Sequence, residues 1–148
     1  MKFVLLACIS LVAFIASAQA ADNLKLNPKL DYSSDSQDGP LISGDNMDAG
    51  FTPGKAAYVI IYVEGCFNSK RQARRTVELY EKYKGRVQFV VIDLDHPLPA
   101  QQEELRKKYY KGYIPHVAVL SAAGAPLYNS SGEVDSAVIS KLLEQSMR

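Results

Sequence analysis

Cys66 stands where a thiol can be reactive. It follows the apolar run 57–63 and Gly65, and it precedes a pattern typical of a helix. The start of a helix carries partial positive charge, which favours a thiolate over a thiol. Four basic residues within the next two turns would favour the same anion: Lys70, Arg71, Arg74 and Arg75. These features predict a nucleophilic thiol, and the alternative is a buried, inert cysteine.

Ser69 follows Cys66 by three residues, at the start of the same predicted helix. Its hydroxyl can accept a hydrogen bond from a free backbone N–H group there, or it can hydrogen-bond the Cys66 thiolate. No second cysteine stands nearby, so a disulfide attacked by Cys66 would remain as a mixed disulfide until an external thiol released it. The two histidines, His96 and His116, lie far from Cys66 in the sequence. They predict no metal site, no cofactor is indicated, and His96 is expected to be solvated.

The elements that position Cys66 are predicted from the hydrophobic pattern. Residues 57–63, rich in β-branched and aromatic types, indicate a strand buried on both faces. A helix over 67–84 joins this strand to a second strand at 87–92, so the two strands should be parallel. Further elements are predicted along the chain: a helix at 100–110, a turn at 111–115, strands at 116–120 and 126–129, and a last helix after Gly132. The pattern indicates an α/β fold with a central mixed sheet of about four strands flanked by helices.

The first 20 residues are typical of a signal peptide. Lys2 is followed by an apolar run, residues 3–15, and by the small-residue pattern at 18–20. Cleavage would make the protein secreted or periplasmic and would remove Cys8, leaving Cys66 as the one thiol. A single cysteine cannot form an internal disulfide, but it can link two copies in a homodimer. No later stretch is apolar enough to span a membrane.

Residues 21–50 are polar and rich in turn formers, and they hold six aspartates against Lys25 and Lys29. We expect an acidic flexible arm here, with at most a short strand near Leu24, that lies close to the Cys66 surface part of the time. The folded domain is predicted over 51–148. The net charge of the whole sequence is +1, which gives no indication of nucleic-acid binding.

The ordered set of elements in 51–148 resembles the thioredoxin-like superfamily. The sequence 66–69 stands where that family has Cys-x-x-Cys, and 112–115 resembles its Gly-x-x-Pro turn. The resemblance implies that Pro115 is cis and lies against the cysteine, and that Ile114 offers its backbone to an extended client peptide. The sequence departs from the family in four ways: Ser69 replaces the second cysteine, Gly65 the usual aromatic residue, and Ile60 the buried acid of many members. The fourth is the absence of the usual proline inside the motif, where Phe67 and Asn68 stand.

Two functions follow from these observations. The first is a monothiol exchange factor, in which Cys66 and Ser69 form the catalytic site and the partners are protein or small-molecule thiols and disulfides. The alternative is a non-catalytic binding module that holds a partner in the groove at Ile114 and Pro115, or through a stable mixed disulfide.

Overall fold

The computed structural model describes residues 19–148, so nearly all of the predicted signal peptide, and Cys8 with it, lies outside the described residues. In chain order the elements are β1 Asp22–Leu26, β2 Ile42–Asp45, β3 Ala57–Tyr62, α1 Phe67–Tyr83, β4 Gln88–Asp93, α2 Ala100–Tyr109, β5 His116–Leu120, β6 Pro126–Ser131 and α3 Ser136–Ser146. Within the described part of the chain, none of the helices is both long enough and apolar enough to cross a membrane.

The central sheet has four strands in the order β4-β3-β5-β6. Strand β3 runs parallel to β4 and antiparallel to β5, which gives the predicted mixed sheet. All six residues of β3 are buried, as expected of a continuous apolar strand in the middle of a covered sheet. Strand β6 begins at Pro126 and lies at the edge, where proline disturbs the fewest ladder hydrogen bonds.

The two faces of β3 contribute to separate apolar clusters because successive side chains point to opposite sides of a strand. Tyr58 and Ile60 pack in one cluster with side chains of α1 and α3. Val59 and Ile61 pack in the other with Leu105 and other residues of α2. The sheet is therefore covered on both faces, so polar functional groups are expected where its strands end.

A buried polar network fixes helix α1 on the sheet. The Tyr58 hydroxyl lies 2.9 Å from Thr76 Oγ1 and accepts a hydrogen bond from Gln72 Nε2 at 3.1 Å. The Gln72 side-chain oxygen in turn accepts from the Val134 backbone N–H at 2.9 Å. Satisfied buried networks of this kind specify one orientation of the packed elements, and here that orientation sets where the start of α1 lies.

The segment 21–50 is not the loosely packed arm that the sequence predicted. Strands β1 and β2 pair in an antiparallel ribbon, and Leu24, Leu41 and Ile42 are at most 2% exposed, within the same apolar cluster as α1. The Asn23 backbone N–H also donates to the Tyr80 hydroxyl at 2.7 Å. The prediction failed because the segment has few apolar residues, too few for the period of a helix or of a strand to stand out in the sequence.

Candidate functional site

Cys66 is the N-cap residue of α1, four residues beyond the end of β3. Its backbone is extended, with φ −99° and ψ 120°, and its carbonyl accepts the Lys70 N–H at 3.0 Å as the first hydrogen bond of the helix. The thiol is free and half-buried. The structure therefore places the thiol at the positive end of a 17-residue helix, the position that the sequence predicted.

Ser69 does not make the hydrogen bonds that its spacing suggested. Its side chain is fully buried, and its hydroxyl has no hydrogen-bond partner within residues 19–148. The hydroxyl therefore neither caps α1 nor bonds the Cys66 sulfur. Asp35 caps the helix instead, because its carboxylate accepts the Phe67 N–H at 2.7 Å.

Residues 31–37, which we call the strap, lie across the start of α1. Lys70 anchors this segment: its side chain is 1% exposed, and its ammonium donates to the carbonyls of Asp31 and Ser36 at 2.6 and 2.7 Å. A third contact joins the ammonium to the Ser36 hydroxyl at 3.1 Å. The sequence assigned Lys70 to the stabilisation of a thiolate, but in the structure its charge is used to hold the strap.

The other basic residues that follow Cys66 also have partners within the chain. Arg71 and Arg75 share the Glu133 carboxylate at 3.0 and 2.8 Å. The Arg74 guanidinium lies 5.8 Å from the centre of the Tyr32 ring, in the strap. This basic group therefore binds α1 to neighbouring segments rather than forming an unpaired positive surface.

The predicted substrate-binding residues Ile114 and Pro115 form the turn before β5. Their peptide bond is cis. Ile61 pairs with His116 across β3 and β5, so this turn lies at the end of β3 from which the chain continues to Cys66. The Pro115 carbonyl accepts the Gly132 N–H at 2.7 Å, whereas the backbone of half-buried Ile114 makes no hydrogen bond within the described residues.

His116 is the first residue of β5, and both of its ring nitrogens are hydrogen-bonded to residues of β6. It is fully buried, with Nε2 at 2.6 Å from the Asn129 side-chain oxygen and Nδ1 at 3.0 Å from the Ser131 hydroxyl. Burial lowers the pKa of His116, although the Asn129 contact opposes that shift. The side chain thus joins β5 to the edge strand β6.

A second polar cluster was missed in the sequence. Glu64 lies between β3 and Cys66, while Asp93 ends β4 and His96 follows it. His96 is not simply solvated, because its Nε2 lies 2.6 Å from Glu64 Oε1, and this hydrogen bond raises the pKa of His96. Burial raises the pKa of Asp93 to about 6. The signal was available: the carboxyl ends of two neighbouring parallel strands meet at one edge of the sheet.

The comparisons with solved structures show the fold. The malarial protein described as thioredoxin-2, a component of malaria parasite protein secretion machinery, matches at 19% identity and a TM-score of 0.51, over 62% of this chain and 82% of its own. Chloroplastic thioredoxin z matches at 22% identity and a TM-score of 0.51, over 63% and 79%. A thioredoxin-like protein from Clostridium perfringens matches at 15% identity and a TM-score of 0.53, over 64% and 72%.

The chain therefore has a thioredoxin-like α/β fold, with a free thiol at the start of its first long helix. No protein-family model matches the sequence, and a search of curated proteins gives no significant match.

Proposed function

We propose that the protein is an exported thiol–disulfide exchange factor that works through Cys66 alone. One observation carries the proposal: a free, half-buried thiol stands at the N-cap position of α1 in a thioredoxin-like fold, at the same end of β3 as the cis Ile114–Pro115 turn. Helix starts favour the thiolate, which is the attacking form. The signal-peptide pattern of residues 1–20 supports export to an oxidising compartment.

The reaction needs two exchange steps and two sulfur partners. In the first step the Cys66 thiolate attacks one sulfur of a client disulfide, the client S–S bond breaks, and the other client sulfur leaves as a thiolate. In the second step the thiolate of an external small-molecule thiol attacks the mixed disulfide, forms a new disulfide with the client and releases Cys66 as a thiolate. No electrons are gained or lost overall by the protein.

The groove beside Ile114 is the proposed client site. The free backbone N–H and C=O of Ile114 can pair with an extended peptide, as an added strand pairs with a sheet edge. Tyr113, which is 73% exposed, precedes Ile114 and offers an aromatic surface to the same peptide. Ser69 supplies no second thiol, so the client complex persists until the external thiol arrives.

A binding module is the second candidate function, and the strap favours it. The strap lies against Gly65, the residue before Cys66, since a Cβ atom built on Gly65 would be 3.3 Å from Gln37 Cβ. Asp35 also occupies the Phe67 N–H at the helix start. A thiol with the strap on both of its sequence neighbours leaves less room for a second thiol to attack a mixed disulfide, which suits one lasting adduct. The same thiol could also form a disulfide with Cys66 of a second copy, which would give a covalent homodimer.

Adduct formation and release test the proposal. The chain is mixed with a disulfide-bonded peptide, and the products are followed by mass spectrometry of the intact protein. We expect a one-to-one adduct that Cys66→Ala abolishes and that glutathione resolves repeatedly, so that one protein molecule converts many peptides. An adduct that forms but is not turned over by glutathione would support the binding module, and a mass of two chains would support the dimer. If no adduct forms, both functions through Cys66 are wrong.

A further inference from the structure

Glu64, Asp93 and His96 form a compact group of potential metal ligands. One ligand atom from each residue lies within 4.8 Å of the other two. His96 Nε2 is 2.6 Å from Glu64 Oε1 and 3.8 Å from Asp93 Oδ2. The local backbone is fixed as well, because the Glu64 N–H donates to the Asp95 carboxylate at 2.7 Å and the Asp95 N–H donates to Asp93 Oδ1 at 3.0 Å.

Within residues 19–148, His96 is the only basic side chain paired with the carboxylates of Glu64 and Asp93. The Glu64 side chain is 7% exposed and that of Asp93 is 13% exposed, yet within residues 19–148 no lysine or arginine forms an ion pair with either carboxylate. Asp93 Oδ2 is buried and has no hydrogen-bond partner within 3.5 Å in the same residues, and the Tyr62 hydroxyl is the neighbouring polar group that faces this carboxyl. An unpaired buried carboxylate oxygen is costly unless it is protonated or bound to a cation, so Asp93 Oδ2 is a position where a bound cation would be stabilising.

An ion can reach the group from solvent. The His96 side chain is 53% exposed and forms its outer side. A cavity of about 310 Å³, bounded by β2, Tyr62 and the Pro97–Pro99 loop, also opens onto Asp93 and His96. The group thus has two buried oxygen ligands, one accessible nitrogen ligand and free space for a further ligand such as water.

We infer that Glu64, Asp93 and His96 form a binding site for a divalent transition-metal ion, with Zn²⁺ the best match. Zn²⁺ accepts carboxylate oxygen and imidazole nitrogen at about 2.0–2.2 Å, so tetrahedral ligands lie roughly 3.3 Å apart. The observed separations of 2.6 and 3.8 Å lie on either side of this value. Imidazole favours Zn²⁺ over Mg²⁺ or Ca²⁺, which prefer oxygen ligands alone. The ion would displace the proton shared by Glu64 and His96, and that proton would pass to the buffer.

This site is separate from the proposed exchange chemistry. Cys66 follows Glu64 by two residues but does not belong to the group. A zinc ion can nonetheless bind a thiolate, so the experiment must remove the thiol. Zinc binding is therefore measured on the Cys66→Ser protein, and its result does not depend on whether Cys66 carries out thiol–disulfide exchange.

Calorimetric titration tests the site. The metal-free Cys66→Ser chain is titrated with ZnCl₂ at pH 7.5, and Co²⁺ is used in parallel for its ligand-field spectrum. We expect one ion per chain, and a loss of affinity of about tenfold or more in His96→Ala and in Asp93→Asn. Affinity should also fall at pH 5.5, since the ligands must lose protons to bind the ion. Glu103→Gln is the matched control, because Glu103 is a half-buried carboxylate paired with Arg106, away from the group.

Each outcome decides the inference. Equal affinity in the parent, His96→Ala and control proteins would place the ion elsewhere and overturn it. So would the absence of Zn²⁺ binding in the Cys66→Ser chain. If Asp93→Asn alters the circular dichroism spectrum, the His96→Ala result decides, since His96 lies in an exposed loop and its removal should leave the fold unchanged.

Discussion

The hydroxyl of Ser69 is buried three residues after Cys66 and has no hydrogen-bond partner in the described part of the chain. Burying a hydroxyl in this way is unfavourable by about 1–3 kcal/mol. A thiol is larger but needs a hydrogen bond far less, because cysteine behaves as a small apolar residue in a core. The position is therefore suited to a second thiol, although the chain carries a serine there.

Ser69→Cys should accept the second thiol without loss of stability. We expect the reduced variant to melt no lower than the parent, and Ser69→Ala to behave similarly, because both remove an unsatisfied hydroxyl. Under oxidising conditions Ser69→Cys should lose both free thiols to an internal disulfide, as counted with a thiol reagent. Two thiols that remain free would show that the Cys66–Ser69 spacing is unsuited to dithiol chemistry.

We expect the docking of the strap to depend on pH through Asp31. Its carboxylate accepts hydrogen bonds from the hydroxyls of Ser33 and Ser34 and from the Ser33 N–H, and these bonds lower its pKa to about 2 from an ordinary value of 3.8. Because the folded-state pKa is the lower one, the stabilisation is complete above about pH 4 and disappears as the pH falls towards 2.

Asp31→Asn should therefore lower the melting temperature at pH 6 but not at pH 2. The measurement is a series of thermal melts of parent and variant between these values. Asp38→Asn is the control, since Asp38 is exposed and lies just beyond the strap. A difference in melting temperature that does not change with pH would assign the effect to side-chain shape rather than to charge.

At the level of elements, the strap is docked on the start of α1, beside Cys66. Lys70 supplies three of the hydrogen bonds that join them. Lys70→Met keeps the packed hydrocarbon stem but leaves two carbonyls without their donor, at a cost of about 1–3 kcal/mol. We expect this change to release the strap and to speed the alkylation of Cys66 by iodoacetamide.

The matched control for Lys70→Met is Lys82→Met, on an exposed part of the same helix. It should leave both the alkylation rate and the free energy of unfolding nearly unchanged. Equal alkylation rates in the parent and in Lys70→Met, despite a loss of stability in the latter, would mean that the strap does not limit access to Cys66.

The elements of the central sheet were predictable because each has a strong local pattern. The continuous apolar run of β3, the helix-compatible spacing of α1 and the early proline of β6 predicted their types and their neighbours. The same patterns predicted the position of Cys66 in the fold, because they place this residue between the end of a central strand and the start of a helix.

The partners of that site were not predictable from local pattern. Lys70 and Ser36 are hydrogen-bonded although they are 34 residues apart in the sequence, and Glu64 and His96 although they are 32 residues apart. Neither residue type indicates a partner at that distance, and lysine is normally solvated. The strap and the possible metal ligands therefore required the three-dimensional packing of the chain.

For the whole molecule, the segment 21–50 is part of the stability of the fold. Leu41 directly precedes β2, and its side chain is fully buried in the core. Leu41→Ala should lower the free energy of unfolding by about 2–5 kcal/mol, a large part of the roughly 5–15 kcal/mol of a typical domain. Urea denaturation provides the measurement, with Leu127→Ala as control because Leu127 is 42% exposed. An unchanged unfolding midpoint in Leu41→Ala would mean that the segment 21–50 is a flexible arm after all.

The order of the strap and the thiol along the chain has a consequence for biosynthesis. Residues 31–37 leave the ribosome, or emerge from a translocation channel, before α1 does, yet their docking partner Lys70 is 39 residues behind Asp31. The contacts of β1 reach still further, to Tyr80. Because domains form such distant contacts only when both partners have emerged, Cys66 leaves the ribosome before Lys70 can dock the strap beside it. The nascent chain is therefore the form in which this thiol meets oxidants and other thiols most freely.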